Sequence, residues 1–380
     1  MKLVSVKIKV QQGMISLDEL RGLKTLKHTR FATISQQGQF VVKSICKDIA
    51  VPPHDSRSEL AILKKLSKFH DTHVVELLDY HSDEESLKLL FPFYELDLEE
   101  YMRSCYKPPK KRSKMLNPYY ALTGDAGHQQ QQSTCKNHFD ISKHAHDFFL
   151  QLSLALQFIH SKGIIHRDLK PQNVLMRNEG CPLLVLTDFG ISYDTQDALQ
   201  TKRESFDAKI TDVSTSIYKA PELLFGVRNY TYAVDIWALL ILISQWFQEE
   251  TLWPPTNLPA MVDDGSGQLG DGESGSDIRL ILSIFSKLGI PSIQEWEEVA
   301  RYGSSAAFEG MFGSNGDGNY LAKKSHEDQL QTLYELMPRL TDIEDEVIKG
   351  SIERCILGMI PFESSERWDS KRIVEELSHL

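Results

Sequence analysis

The sequence lacks a long apolar run, cysteines at metal-ligand spacing and a net positive charge. Its apolar run from Ile236 to Phe247 is too short to span a hydrocarbon core of about 30 Å, and its N-terminus lacks an apolar signal core. The five cysteines show no metal-ligand spacing, which indicates a reducing compartment. A net charge of −11 argues against nucleic acid as the main partner. We therefore expect neither a membrane nor nucleic acid as a partner.

A short polar segment at residues 166–173, His-Arg-Asp-Leu-Lys-Pro-Gln-Asn, contains the groups that phosphoryl transfer requires. That reaction depends mainly on positioning and on neutralising charge. Asp168 would accept the proton of a substrate hydroxyl, and Lys170 would neutralise charge on the transferring oxygens. Asn173 and, fifteen residues later, Asp188 offer oxygen ligands to Mg²⁺, which prefers hard oxygen donors.

The order of three motifs is more informative than any one of them. Asp188 opens an Asp-Phe-Gly triplet, and an Ala-Pro-Glu triplet follows at residues 220–222, at about the length of an activation segment. On these motifs the chain resembles a eukaryotic protein kinase from end to end. The resemblance implies an α+β fold with a β-rich N-lobe over residues 1–93 and a larger helical C-lobe over residues 94–380. It also implies ATP and Mg²⁺ as cofactors.

The resemblance further implies an ion pair between a strand lysine and a helix glutamate, which holds the α- and β-phosphates. Lys43 ends the strand-like run at residues 40–43, and Glu59 begins an apolar stripe with helical spacing. Ser56 and Glu59 also fit a capping box, in which both side chains would only satisfy helix amides. The residues alone leave both interpretations open, and the resemblance favours the ion pair.

Residues 89–98 form an apolar run that enters a polar turn, which is typical of the hinge between kinase lobes. Similarity to the hinge of cyclin-dependent kinases implies that adenine meets backbone groups of Pro92 and Tyr94. Phe91 would then lie at the back of the adenine pocket. Proline loses no hydrogen bond in this position if only its carbonyl is used.

Other parts of the C-lobe follow from the same resemblance. Thr215 stands where serine/threonine kinases have a threonine that bridges the catalytic aspartate and lysine, which favours serine or threonine acceptors. Asp235 would brace the catalytic loop, and Glu222 would pair with Arg367. Helical periodicity predicts an amphipathic helix over residues 140–161.

The glycine-rich loop of kinases is missing. Its glycines let backbone amides approach the phosphates, but residues 20–33 contain only Gly22. Gly22 is therefore the one candidate for a residual contact of this kind. Lys24 and Lys27 either replace the amides by charge or are simply exposed. This gap leaves a catalytically dead kinase as an alternative.

The missing loop and several unusual strings resemble the small group of monomeric CDK-activating kinases of budding yeasts. The strings lie at residues 90–93, 191–194, 217–222, 243–247 and 287–294. This resemblance implies transfer of the ATP γ-phosphate to the activation-loop threonine of cyclin-dependent kinases. It implies a monomer that needs no cyclin. Lys219, in place of the arginine usual in the CDK and MAP kinase branch, counts against proline-directed specificity. A proline-directed kinase, a cyclin-dependent enzyme and a scaffold that binds a cyclin-dependent kinase are the alternatives.

Two inserts stand out by composition. Residues 107–137 begin with a basic run and contain four consecutive glutamines, and residues 263–277 are rich in glycine, aspartate and serine. We predict a mobile surface loop for the first insert and disorder for the second. The basic run fits a nuclear localisation signal or a docking patch, although a solvated charge run is the commoner meaning. The expected location is the cytoplasm, with the nucleus as a second compartment.

Thr211 lies near the position at which many kinases have an activating phosphorylation site. Arg167 could receive a phosphate there, but the nearby basic residues do not form a convincing pocket in the sequence. We therefore do not predict activation by phosphorylation.

Overall fold

A computed structural model describes residues 22–47, 51–108, 134–177, 182–255, 257–266 and 275–379. Residues 1–21 of the predicted N-lobe, most of the first insert and residues 267–274 of the second insert lie outside these residues. No helix among the described residues has the length and apolarity needed to cross a membrane.

The N-terminal region is a five-stranded antiparallel sheet in the order β1-β2-β3-β5-β4. Its strands are β1 Lys24–His28, β2 Ala32–Gln37, β3 Phe40–Cys46, β4 Asp79–Ser82 and β5 Ser86–Pro92. Lys43 lies opposite Ile34 on one side and Leu89 on the other, so β3 is a central strand. Central strands contribute backbone hydrogen bonds to both neighbours, which holds the Lys43 backbone in a fixed position.

Helix α1, Ser56–Leu66, packs against this sheet through Ile62, Leu63 and Leu66. Its N-cap is Asp55, whose carboxylate accepts hydrogen bonds from the amides of residues 57 and 58. The capping-box interpretation of Ser56 and Glu59 is therefore wrong, because an aspartate one residue earlier satisfies the helix amides. Glu59 is left free for another partner.

The C-terminal region is mainly helical. Its helices are α2 Leu98–Ser104, α3 Ile141–Ser161, α4 Ala198–Arg203, α5 Pro221–Leu224, α6 Ala233–Ser244, α7 Asp277–Leu288, α8 Glu297–Tyr302, α9 Ser305–Phe312, α10 His326–Leu336, α11 Glu346–Met359 and α12 Ser370–Ser378. Its short strands are β6 Leu96–Asp97, β7 Thr134–Lys136, β8 Ile164–Ile165, β9 Val174–Arg177, β10 Leu183–Leu186, β11 Tyr193–Asp194 and β12 Glu250–Leu252. Helix α3 confirms the predicted amphipathic helix, with Asp140 as its N-cap.

Helix α6 lies at the centre of the helical region and is buried on all sides from Val234 to Ser244. A helix that is apolar all round belongs in a core, in agreement with its short length for a membrane span. The predicted pair of Glu222 and Arg367 lies against this core, with 2.9 Å between Oε1 and Nη1 and no exposure of either side chain. Arg367 also donates to backbone carbonyls, so both buried charges have partners.

Both inserts are more ordered at their ends than predicted. Residues 134–136 form β7, which pairs with β12, and Tyr106 bridges to Asn137. In the second insert, Asp264 is buried and accepts a hydrogen bond from the Ser216 hydroxyl. Backbone pairing and buried polar contacts thus anchor residues that composition alone assigned to mobile segments.

Candidate active site

A cleft of about 1380 Å³ lies between the sheet and the helical region. Residues from both regions line it, including Lys43 of β3, Phe91 of β5, Asp168 and Asp188. This volume is at or above the upper end of small-molecule sites, so the cleft can accept a ligand as large as a nucleotide. Every predicted site residue except Gly22 lines this cleft.

The floor of the cleft is the catalytic loop, residues 166–173, which follows β8. The buried carboxylate of Asp235, in α6, accepts hydrogen bonds from the backbone amides of His166 and Arg167, each at 2.8 Å. His160 also lies 2.9 Å from Asp235 through Nε2. Burial alone would raise the pKa of Asp235, but its hydrogen bond and charge interaction with His160 lower it. The predicted bracing role of Asp235 is thus confirmed as a set of contacts.

Four side chains of the floor form one hydrogen-bonded group. The Thr215 hydroxyl donates to Asp168 Oδ1 at 2.6 Å and accepts from Lys170 Nζ at 2.8 Å. Lys170 Nζ also lies 2.7 Å from Asp168 Oδ2. Asn173 Nδ2 donates to Asp168 Oδ2 at 3.0 Å and to its carbonyl at 2.8 Å. These contacts fix the Asp168 carboxylate beside an ammonium group, as proton acceptance and charge neutralisation require.

On the opposite side of the cleft, Lys43 lies between two carboxylates. Its Nζ is 2.6 Å from Glu59 Oε1 and 2.7 Å from Asp188 Oδ1. Burial alone would lower the pKa of Lys43, but the charges of Asp188 and Glu59 raise it above its usual range. Lys43 is therefore a cation at neutral pH, and the predicted ion pair with Glu59 is present.

Asn173 and Asp188 provide oxygen atoms suited to a hard divalent cation. Asn173 uses its nitrogen on Asp168, and neither its amide oxygen nor Asp188 Oδ2 has a hydrogen-bond partner among the described residues. Enclosure alone would raise the pKa of Asp188, but Lys43 holds it well below its usual range. No group of three metal-ligating acidic, histidine or cysteine side chains occurs in the described part of the chain. A cation here would therefore depend on phosphate oxygens and water as further ligands.

The hinge residues line the same cleft. Phe91 is buried at the end of β5 and faces Val41 of β3, and Pro92 and Tyr94 follow it along the cleft wall. The Tyr94 amide has no hydrogen-bond partner among the described residues, so it can donate to a ligand. The structure thus places all three predicted hinge residues along the wall of the cleft.

The roof of the cleft is the β1–β2 hairpin, residues 24–37. Every residue of β1 is exposed, and Gly22 lies outside the cleft lining, which contradicts its selection as a nucleotide contact. In the turn, the Thr29 hydroxyl accepts hydrogen bonds from the amides of Phe31 and Ala32. These amides are satisfied by a side chain, whereas a glycine-rich loop would offer such amides to phosphates.

Phe31 and His54 close the roof at the end of the cleft nearest Lys43. Their rings stack with centroids 3.7 Å apart, and both line the cleft. Burial lowers the pKa of His54, so the ring is neutral at pH 7. An aromatic pair of this kind is worth about 0.5–1.5 kcal/mol beyond its buried area. Neither residue carries a sequence motif that could have singled it out.

Comparison with known families agrees with this geometry. The model of the protein kinase domain matches residues 29–268. The chain belongs to the protein kinase family. Serine/threonine-protein kinase CAK1 of Saccharomyces cerevisiae is 45% identical over 361 residues, covering 93% of this kinase and 96% of that protein. Cyclin-dependent kinase 7 of Caenorhabditis elegans is 27% identical over 251 residues, covering 66% of this kinase and 58% of that protein.

Solved structures share the fold of this kinase at low sequence identity. The kinase complex CTDK-1 of yeast, which is named for the RNA polymerase II CTD, gives a TM-score of 0.60 at 17% identity, over 97% of this kinase and 95% of that chain. The CAK complex of Chaetomium thermophilum bound to ATP-γ-S gives 0.58 at 19% identity, over 93% and 88%. The family match and the similarity to CAK1 establish a serine/threonine protein kinase. The solved structures agree with its fold, a β-sheet N-terminal region and a helical C-terminal region.

The kinase also has contacts on its activation segment, residues 188–222, that the sequence did not reveal. Arg167 is buried and pairs with Glu204, with 2.6 Å between Nη2 and Oε1. Arg203, next in the chain to Glu204, pairs with Asp55 at the start of α1. Both partners lie in polar stretches with no motif, so only their spatial proximity identifies them.

On either side of Thr215 the activation segment makes polar contacts. Ser214 has φ +66° and donates its hydroxyl to the Arg167 carbonyl at 2.8 Å. Lys219 Nζ lies 3.1 Å from Asp277 and 3.5 Å from Asp212. The surface around Ser214 and Lys219 therefore carries polar and acidic groups.

Proposed function

We propose that this chain is a CDK-activating kinase that transfers the γ-phosphate of ATP to the activation-loop threonine of a cyclin-dependent kinase. The observation that carries the chemistry is the group formed by Asp168, Lys170, Thr215 and Asn173 on the cleft floor. The similarity to CAK1 across nearly the whole length of both chains supports the choice of substrate. The similarity to cyclin-dependent kinase 7 supports the same branch of the family.

Each residue of the site has one task in this reaction. Asp168 holds the acceptor hydroxyl and takes its proton, while Lys170 meets the charge on the transferring oxygens. Thr215 keeps these two side chains together. Lys43, fixed by Glu59, binds the α- and β-phosphates, and the backbone near Pro92 and Tyr94 binds adenine. Because positioning dominates phosphoryl transfer, the contacts among these side chains are part of the catalytic apparatus.

Asn173 and Asp188 are the residues that would hold Mg²⁺. When bound, this ion neutralises the charge of the phosphates. Asp188 remains ionised because of Lys43, and Asn173 is oriented by its hydrogen bonds to Asp168. The two side chains therefore stay ready to bind without rearranging.

We also propose that the kinase acts as a monomer and needs no cyclin. Helix α1 already places Glu59 2.6 Å from Lys43 in the single chain. A partner protein would have no further movement of this glutamate to produce. The polar surface around Ser214 and Lys219 favours acceptor threonines that are not followed by proline.

The decisive experiment uses the purified single chain, Mg²⁺, ATP and an unphosphorylated cyclin-dependent kinase, with no cyclin present. Phosphate should appear on the activation-loop threonine of the substrate, as mapped by mass spectrometry. A substrate with that threonine replaced by valine should stay unlabelled. Labelling that requires added cyclin would instead identify a cyclin-dependent enzyme.

The variant Asp168→Asn separates catalysis from binding. We expect kcat to fall by about 10²- to 10⁴-fold, since the proton acceptor is lost. Binding of the cyclin-dependent kinase, measured by calorimetry, should be unchanged. Asp147→Asn is the matched control, because the Asp147 carboxylate on α3 is 69% exposed and lies outside the cleft lining. Full biological activity of the Asp168→Asn variant would favour a scaffold, and a strict requirement for proline after the acceptor would favour a proline-directed kinase.

A further inference from the structure

Two adjacent residues of the activation segment, Arg203 and Glu204, reach in opposite directions. Arg203 is the last residue of α4, and Glu204 follows it as the C-cap in an extended conformation. Arg203 contacts Asp55 and Ser58 at the start of α1. Glu204 contacts Arg167 in the catalytic loop. These two adjacent residues thus connect helix α1, which carries Glu59, to the catalytic loop, which carries Asp168.

The Glu204 contact is buried and made through both carboxylate oxygens. Arg167 is 1% exposed and donates to Oε1 at 2.6 Å and to Oε2 at 3.1 Å. Oε1 also accepts the amide of Ile210 at 2.8 Å. A bidentate arginine–carboxylate pair with a further backbone donor is a strong and geometrically restrictive arrangement. It fixes the residue that immediately precedes Asp168.

A second cation, Lys209, lies close to this pair. Lys209 is fully buried nearby, and its Nζ lies 5.6 Å from the ring centre of Tyr193 and 5.1 Å from that of Tyr230. The two hydroxyls donate to backbone carbonyls of the same segment, Tyr193 to Glu204 and Tyr230 to Ile210. In the described part of the chain, Glu204 is the only carboxylate that forms an ion pair with Arg167. Its loss would leave two cations in one enclosed place.

The Arg203 side of the connection is supported at the other end of α1. Lys65, in the last turn of α1, lies 2.8 Å from the buried carboxylate of Asp194 in β11. At the first turn, the Asp55 amide donates to the carbonyl of Gly190 at 3.2 Å. Helix α1 is therefore bound at both ends to the activation segment of its own chain. Glu59 lies between these two attachments.

We infer that Arg203 and Glu204 are positioning residues that hold helix α1 and the catalytic loop in the active arrangement in the unmodified single chain. This inference rests on the proposed kinase function and specifies how its site is regulated. The Glu204 carboxylate already forms a bidentate ion pair with the Arg167 guanidinium. A phosphate on Thr211 would find this guanidinium paired, so it would add repulsion with Glu204 rather than a new contact. The kinase is then active without phosphorylation and without a partner to move α1.

The Glu204 contact should affect activity more than the Arg203 contact. Arg203 is half exposed, and exposed ion pairs contribute little. The Glu204 pair is buried, so removal of one partner leaves an unpaired charge. We therefore expect Glu204 to control kcat and Arg203 to have a smaller effect on nucleotide binding through α1 and Glu59.

The first test compares Glu204→Gln and Glu204→Ala with the wild-type kinase. For both variants, kcat should fall by about 10- to 100-fold, while the Michaelis constant for ATP changes by less than about threefold. Sodium formate should restore part of the kcat of Glu204→Ala, because formate can fill the space beside Arg167. It should not activate Asp168→Asn. Wild-type kcat in both Glu204 variants, or a loss that follows only a lower melting temperature and ignores formate, would contradict the inference.

The second test concerns Arg203 and phosphorylation. Arg203→Ala should raise the Michaelis constant for ATP by about two- to fivefold, and Arg203→Lys should restore most of it. Lys202→Ala is the control from the same exposed helix. Treatment of the wild-type protein with a phosphatase should leave its activity unchanged. Loss of activity after this treatment, or equal effects of the Arg203 and Lys202 variants, would overturn the inference.

Intrinsic ATP hydrolysis, measured without a protein substrate, separates this inference from the proposed function. If the wild-type kinase hydrolyses ATP but does not phosphorylate a cyclin-dependent kinase, the proposed substrate is wrong. If it phosphorylates the substrate and the Glu204 variants match it in both assays, the positioning role is wrong.

Discussion

The floor and the roof of the cleft are built in opposite ways. In the floor, the amides of His166 and Arg167 donate hydrogen bonds to a buried carboxylate, and three other side chains contact the Asp168 carboxylate. In the roof, β1 is exposed along its whole length and the turn at Thr29 satisfies its own amides. The floor therefore has far more contacts that restrict its geometry.

This difference indicates which part of a nucleotide the protein grips. The reacting end of the nucleotide would lie over a pre-formed set of donors and acceptors, which lowers the reorganisation required during transfer. The roof provides a stacked ring pair, Phe31 and His54, in place of backbone amides. Loss of a glycine-rich loop is tolerable when Lys43, Glu59 and Asp188 already form a rigid group below the roof.

The largest expected effect comes from the base of the floor. Asp235→Asn should lower the free energy of unfolding by about 1.5–3 kcal/mol, because two backbone amides lose a charged acceptor. The stability difference should be present above pH 4 and shrink as the pH falls below 3.8, since the folded protein lowers the pKa of Asp235 from that value. Urea denaturation at several pH values measures it. Equal stability of the variant would show that the floor is not braced by this carboxylate.

Thr215→Val tests the hydrogen bonds at the surface of the floor. Loss of the hydroxyl removes contacts to both Asp168 and Lys170, so kcat should fall by about 10- to 100-fold. Thr215→Ser keeps the hydroxyl and should stay within about threefold of wild type. Steady-state kinetics on one protein substrate separates kcat from the Michaelis constants. Similar activity of the valine and serine variants would contradict a bridging role.

His54→Ala tests the roof. The Michaelis constant for ATP should rise by about 2- to 10-fold, which corresponds to the loss of one aromatic pair, with little change in kcat. His54→Phe preserves stacking on Phe31 and should behave like the wild type. A drop in kcat with an unchanged Michaelis constant would place His54 with the floor residues and break the contrast between the two sides.

Gly22→Ala should have the smallest effect on catalysis. Gly22 lies outside the cleft, and no atom lies within 4 Å of an added Cβ, so the Michaelis constant for ATP should not change. Its φ of +72° predicts a loss of about 1–2 kcal/mol in stability. Gly38→Ala, with φ +57° and equally open space, is the matched control. A clear rise in the Michaelis constant for Gly22→Ala alone would restore a nucleotide contact to the roof.

The fold and the floor could be predicted from the sequence because their residues occur at fixed spacing. Asp168, Lys170 and Asn173 lie within the short catalytic loop at residues 166–173, so their spacing in the sequence already brings them close together. Asp188 and Thr215 belong to motifs of their own. The start and end of α3 followed from helical periodicity.

The remaining parts could not be predicted because they depend on contacts between distant segments. Nothing near Glu204 in the sequence indicates that it reaches Arg167, 37 residues away. The N-cap at Asp55 was missed because Ser56 with Glu59 fits a capping pattern equally well one residue later. Gly22 was selected by its residue type alone, and the path of the chain before β1 then placed it away from the cleft.

The bridge between Tyr106 and Asn137 has a consequence for how this chain can change. Paired residues in such a bridge lie about 5 Å apart, so the two ends of the segment 107–136 meet at nearly one point. Because the bridge holds these two ends together, a change in the length of the segment need not alter the geometry of the catalytic residues. A reporter domain inserted between residues 109 and 133 should leave catalysis intact, which makes this position a practical place for a label.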